Sequence, residues 1–108
     1  MKRGEVWWVS FDPSVGGEIR KRRPALIISN DISNRYLNRV QVVPLTSKLK
    51  NLYPSETYVA IGGRRSKAMA DQLTTVSKLR FGSRIGRVSH ADLKKVEQVV
   101  RVQLGLGP

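Results

Sequence analysis

Four consecutive basic residues, Arg20-Lys21-Arg22-Arg23, run directly into Pro24. A residue that precedes proline is pushed into extended backbone. Arg23 is therefore expected where a loop joins a strand, held by the scaffold, with Arg20, Lys21 and Arg22 hanging in the loop. A fixed guanidinium suits phosphate, whose oxygens it grips in a two-pronged fork. The three loop cations serve equally as a solvated charge run or as contacts along a phosphate backbone. Glu18 is the one acid close to this cluster. Paired with an exposed arginine it is worth about 0.5 kcal/mol; as a functional group it accepts a proton or holds Arg23, and the second role suits a carboxylate among cations better. Thr46 and Ser47 follow a proline-marked strand. A strand threonine needs no explanation beyond β-propensity, yet its hydroxyl can orient a phosphate oxygen or stabilise developing charge. Asp71-Gln72, inside the otherwise apolar Ala68-Met69-Ala70 and Leu73, reads as a turn, as a reader of base edges, or as support for Arg23.

Other chemistries are thinly supplied. The absence of cysteine removes disulfides, thiolate nucleophiles and cysteine zinc sites. A single histidine, His90, leaves no His-pair metal site and no two-histidine ribonuclease mechanism. The eight acids are scattered, without the Asp-x-Asp or Glu-x-x-His groupings of a two-metal nuclease. No phosphate-cradling Gly-x4-Gly-Lys-Ser/Thr run occurs. No metal and no cofactor is expected.

The 108 residues carry 20 Lys plus Arg against 8 Asp plus Glu, a net charge of +12. Ten basic and four acidic side chains fall in residues 1–54 and the same numbers in 55–108, so the charge belongs to the fold and not to an arm. Such a field points to nucleic acid first and to an acidic protein second. With 40% apolar residues a chain of this length supports one cored domain, here 1–108. No apolar run approaches the ~18 residues of a membrane span, and Met1 to Glu5 leads into no signal-type segment, so a soluble, cytoplasmic protein is expected.

The positioning elements follow from pattern. Val6 to Phe11 reads as a first strand, Asp12 to Arg22 as a long loop, and Ala25 to Ile28 as a buried central strand. Asn30 to Asn38 is a turn or one helical turn. Val40 to Thr46 is a strand in which Pro44, lacking a donor, marks an edge or a bulge. Thr57 to Ile61 is a strand, Gly62-Gly63-Arg64-Arg65 a basic turn, Ala68 to Val76 a segment leaning to strand, and Ser83 to Val88 a short strand. Ser89 and Asp92 resemble a capping box, and Leu93, Val96, Val100 and Leu104 give the helix behind it one apolar face. His90 falls in its first turn, on the surface. Trp7, Trp8 and Phe11 are expected to pack in the core on at least one face, whereas Tyr36, Tyr53 and Tyr58, near predicted loops, suit base stacking better. Short strands and one C-terminal helix imply a small, strongly bent sheet or barrel, SH3-like or OB-like.

The series Arg3-Gly4-Glu5-Val6-Trp7-Trp8-Val9, Phe11-Asp12-Pro13, Gly16-Gly17-Glu18, Lys21 to Ser29, Val43-Pro44-Leu45-Thr46-Ser47 and Asp71-Gln72, with Ile85-Gly86 before a final helix, resembles the MazF/PemK/Kid toxin family over nearly the whole chain. The resemblance implies a mainly β, SH3-like barrel with a C-terminal helix, forming a homodimer. It implies a sequence-selective, metal-independent endoribonuclease on single-stranded RNA, held inactive by an acidic antitoxin. The family's Arg-Pro arginine falls on Arg23, its strand-end threonine on Thr46, its first-loop acid on Glu18 and its Asp-Gln acid on Asp71. Arg20, Lys21, Arg22, Gly16 and Gly17 then fall to RNA binding, with Gln72 and Ser47 as supporting residues. Some members carry an arginine where this chain has Met69, so a mechanism built on that arginine does not transfer. The alternative is a CcdB-like toxin that binds gyrase without cleaving RNA.

Overall fold

The computed structural model describes residues 1–13, 15–19 and 21–107. Seven strands form one bent sheet: β1 (Glu5–Ser10), β2 (Arg22–Ile27), β3 (Arg39–Thr46), β4 (Glu56–Ile61), β5 (Arg64–Met69), β6 (Thr74–Ser77) and β7 (Phe81–Arg87). Two α-helices, α1 (Asp31–Tyr36) and α2 (His90–Leu104), accompany them. The strand order is β4-β5-β3-β2-β1-β7, with β6 also paired to β3. All pairings are antiparallel. Two register shifts between β1 and β7 bend β1, as bulges do, and help the sheet curl.

Both faces of the central strands are buried, which is why Ala25 to Ile28 reads as a continuous apolar run. Val6, Leu26, Val43, Leu45, Val59, Ala68 and Val88 pack with Val96 of α2 on one face. Val9, Phe11, Ala25, Ile27, Val40, Val42 and Val76 form the second cluster. Helix α2 begins as its sequence demands, with the Ser89 hydroxyl accepting the Asp92 N–H at 3.1 Å. The Asp92 carboxylate in turn accepts the N–H of Ala60 at 2.9 Å, covering a donor of edge strand β4. The apolar face of α2 departs from expectation. Val96 and Val99 are its buried residues, Leu93 and Val100 are half-buried, and Leu104 is exposed with the rest of the last turn.

Two strand expectations are corrected. Pro44 lies in a central strand, paired with Ala25 on one side. On the other side β6 pairs with Arg39 to Val42 and β5 with Leu45 and Thr46, so no ladder partner falls on Val43-Pro44. The chain between β5 and β6 leaves the ladder there as a three-residue 3₁₀ turn, Ala70–Gln72. Residues 68–76 are thus two short strands separated by that turn, opposite the position where proline offers no donor.

The N-terminal segment staples the elements together. Asp31 accepts the Arg3 backbone N–H at 2.7 Å, and the Arg3 guanidinium binds Ile28 O at 3.0 Å and Glu97 at 2.7 Å. Hydrogen bonds from Arg3 and Asn34 hold the Asp31 carboxyl below its ordinary range, and Arg3 does the same for Glu97. Burial of Glu5 opposes its ionisation. The Lys2 N–H, the Trp7 indole, the N-terminal ammonium and Arg84 together outweigh that penalty and hold its carboxyl low as well.

Candidate active site and nucleic-acid interface

Arg23 is the second residue of β2 and pairs with Val9. The β2–β3 register ends at Ala25 opposite Pro44. Carried two residues further, it sets Arg23 opposite Thr46. Thr46 pairs on its other side with Lys67 of β5, which pairs with Tyr58 of β4. Thr46, Lys67 and Tyr58 therefore form one row across three strands, and Arg23 falls on the same line when the β2–β3 register is extended. Thr46 is 8% exposed, and its hydroxyl accepts the Lys48 N–H at 3.2 Å. That bond turns the chain out at Ser47, which is exposed, and leaves the threonine O–H free to donate.

This end of the sheet opens into a groove of about 850 Å³. Arg23, Thr46 and Ser47 line it with Lys21, Arg22, Arg64 and Arg65, above an apolar floor that includes Val6, Leu45, Ile61 and Ile85. Among the described residues five cations line the groove and no carboxylate does. Arg22 is not a loop residue as expected. It opens β2 and lies over the Trp8 ring, 4.6 Å from its centroid. Gly82 makes room for it: a Cβ there would stand 3.1 Å from Arg22 Nη2. Trp8 is thus a groove residue, while Trp7 packs edge-on against Phe81 at 6.0 Å.

Glu18, Asp71 and Gln72 come together elsewhere. They line a second hollow with Phe11, Ile19, Thr74 and Arg80. Glu18 accepts the Val15 N–H at 2.7 Å, inside its own loop. Gln72 accepts the Ile19 N–H at 3.1 Å and donates to Gly17 O at 3.3 Å, so the 3₁₀ turn ties down the β1–β2 loop. Asp71 is exposed. Gly16 and Gly17 are exposed in that loop and line neither hollow. Lys21 closes the loop in left-handed backbone, its N–H donated to Asp12 Oδ1 at 3.0 Å. Arg20 lies outside the described residues. His90 is exposed at the start of α2. No three His, Cys, Asp or Glu side chains among the described residues gather as a metal site would require. No helix is long and apolar enough to cross a membrane.

Sequence reasoning undervalued Arg64, Arg65 and Lys67. Gly62 and Gly63, both at positive φ, form the tip of the β4–β5 hairpin and deliver the two arginines to the groove; the Gly-Gly signal was present, but not what it faced. Lys67 gave no signal at all. Its ammonium is buried against Glu56 at 3.0 Å and donates to the carbonyls of Lys50 and Asn51 at 3.1 and 3.4 Å. It anchors the 47–55 loop, whose Leu49 lines the groove and accepts the Tyr58 O–H at 2.7 Å.

Residues 2–104 match the model of the PemK-like, MazF-like toxins of type II toxin–antitoxin systems. Endoribonuclease MazF9 of Mycobacterium tuberculosis is 34% identical over 98% of both chains. MazF of Deinococcus radiodurans superposes with a TM-score of 0.87 at 27% identity, covering 97% of this chain and 96% of its own. A mycobacterial endoribonuclease solved with its cognate antitoxin superposes at 0.84 with 25% identity, over 100% and 98% of the two chains. These matches do not favour the CcdB-like alternative. By its match over nearly the whole chain and by its half-barrel with a C-terminal helix, the chain belongs to the PemK-like, MazF-like family of type II toxins.

Proposed function

We propose that this toxin cleaves single-stranded RNA in the cationic groove without a metal, using the RNA's own 2′-hydroxyl as nucleophile. The observation that supports this reading is that Arg23 and Thr46 line one groove with four further cations and, among the described residues, no carboxylate. The 2′-oxygen attacks the adjacent phosphorus, the bond to the 5′-oxygen breaks, and the products are a 2′,3′-cyclic phosphate and a 5′-hydroxyl. Arg23 stabilises the charge that grows on the non-bridging oxygens and, as the family resemblance implies, supplies the proton to the leaving oxygen. The Thr46 hydroxyl donates to a phosphate oxygen, and Ser47 lies beside it. Glu18 and Asp71, the candidates for taking the 2′-proton, line the other hollow, so within the groove that proton leaves to solvent. Their hollow is tied by Gln72 to the loop that leads into Arg23. Lys21, Arg22 and Arg20 track the RNA backbone.

An acidic, extended antitoxin segment would compete for the same groove, since its five cations attract a carboxylate chain as they attract phosphates. The protein works as a cytoplasmic homodimer. The test is incubation of purified protein with single-stranded RNA in excess chelator, beside its 2′-deoxy copy and with Arg23→Ala. Cleavage of the RNA alone, with cyclic-phosphate ends and loss in the variant, is expected. Cleavage of the deoxy copy, or 5′-phosphate products that need a metal, overturns the mechanism. Binding without cleavage makes the protein an RNA-binding module, and gyrase inhibition with intact RNA makes it a gyrase poison.

A further inference from the structure

Resting on the reading of the groove as an RNA site, we infer that Arg65, held over the Tyr58 ring, is a stacking platform for an unpaired nucleobase next to the scissile phosphate. The Arg65 guanidinium carbon stands 3.8 Å from the Tyr58 ring centroid. At that distance the guanidinium is in contact with the ring, and because Arg65 is exposed the rest of its surface is available to a flat partner. Nucleobases in single strands are held by stacking on aromatic rings and on guanidinium planes. The ring beneath is itself fixed, because the Tyr58 O–H is donated to Leu49 O and the loop carrying Leu49 is pinned by Lys67. Tyr58 lies within β4, in line with the strand expected over Thr57 to Ile61.

Placement makes this a subsite and not a stray surface pair. Arg65 is two residues from Lys67 on β5 and so shares its face, and Lys67 is paired with Thr46. One strand across and two residues along is roughly 8 Å between the Arg65 and Thr46 α-carbons. That is a span one extended nucleotide covers. With a phosphate at Arg23 and Thr46, the neighbouring base reaches the Arg65 face. Among the described residues Arg65 has no acidic partner, and it exposes its charge in the groove, so the platform also favours the flanking phosphate.

The test separates stacking from simple charge attraction. Fluorescence anisotropy compares fluorescein-labelled 2′-deoxy oligoadenylate with an abasic oligomer of equal length and charge, for wild type, Arg65→Ala and Arg65→Lys. Wild type is expected to prefer the base-bearing oligomer by on the order of tenfold, the size of one stacked base. Arg65→Lys keeps the charge but loses the flat face, and should lose most of the preference while binding the abasic oligomer as wild type does. Arg65→Ala should lose the preference and weaken both. Equal wild-type affinity for the two oligomers, or a preference preserved in Arg65→Lys, overturns the inference. Cleavage of a long single-stranded RNA by the wild type is run in parallel. If that RNA is cleaved while the oligomers bind equally, only the platform fails; if it is not cleaved, the groove's assignment fails.

Discussion

Lys67→Met is the sharpest probe of what holds the groove in shape. The Lys67 ammonium and the Glu56 carboxylate meet at 3.0 Å with side chains 7% and 8% exposed. Losing the ammonium leaves Glu56 charged and cut off from water, holding only the Tyr53 N–H at 3.0 Å, and strips a donor from the Lys50 and Asn51 carbonyls. Breaking one side of a buried ion pair costs about 3–5 kcal/mol. In a domain of this size each kcal/mol moves Tm by roughly 4–8 °C, so a fall of at least about 12 °C is expected. The Arg3–Glu97 pair is shorter, at 2.7 Å, but its side chains are 31% and 37% exposed. Glu97→Gln should therefore cost no more than about 1 kcal/mol. Urea or thermal melts of Lys67→Met, Glu56→Leu, the double variant and Glu97→Gln supply the comparison. The double variant should recover much of the loss, because it leaves no unpaired buried charge. A Lys67→Met variant as mild as Glu97→Gln, or a double variant as unstable as the two single losses added together, would refute this account of the anchor.

Three further outcomes follow from the geometry. Gly82→Ala places a Cβ 3.1 Å from Arg22 Nη2; the flexible guanidinium shifts off Trp8 at a cost below about 1 kcal/mol, while anisotropy should register weaker RNA binding, and an unchanged affinity would remove Arg22 from the interface. Thr46→Val should keep the fold but lose the Lys48 bond and the phosphate contact, lowering kcat by on the order of 10²-fold, whereas Thr46→Ser retains most activity. The carboxyls of Glu5, Asp31 and Glu97 are all held low in the folded chain. Their contribution is complete above the unfolded carboxylate range, about 4–4.5, and is lost as pH falls through their lower folded values. Tm should thus be level from pH 7 to about 5 and drop below that, less steeply in Glu97→Gln.

Local chemistry was the legible part. The Ser89 cap, the Asp12-Pro13 and Gly62-Gly63 turns and the doubly buried Ala25 to Ile28 strand are written in residues adjacent along the chain, and the elements follow. Arg23 was legible too, because Pro24 constrains its backbone directly. The grouping of the site was not. Glu18 and Arg23 are five positions apart yet line different hollows, since the closed β1–β2 loop puts Glu18 beside Asp71 and Gln72. The break at Ala70–Gln72 was hidden because its cause, the missing donor of Pro44, sits on another strand.

By itself the sequence determined the sign of the charge, the poverty of thiol and metal donors, and the family to which the glycine, arginine–proline and threonine–serine series belongs. These depend on composition and short-range order alone. Tertiary structure decided which cations share a groove, that Arg22 stacks on Trp8 and Arg65 on Tyr58, and that a buried lysine holds the wall between them. Each of those depends on strand register, and register is fixed only when both faces of the sheet find their cores.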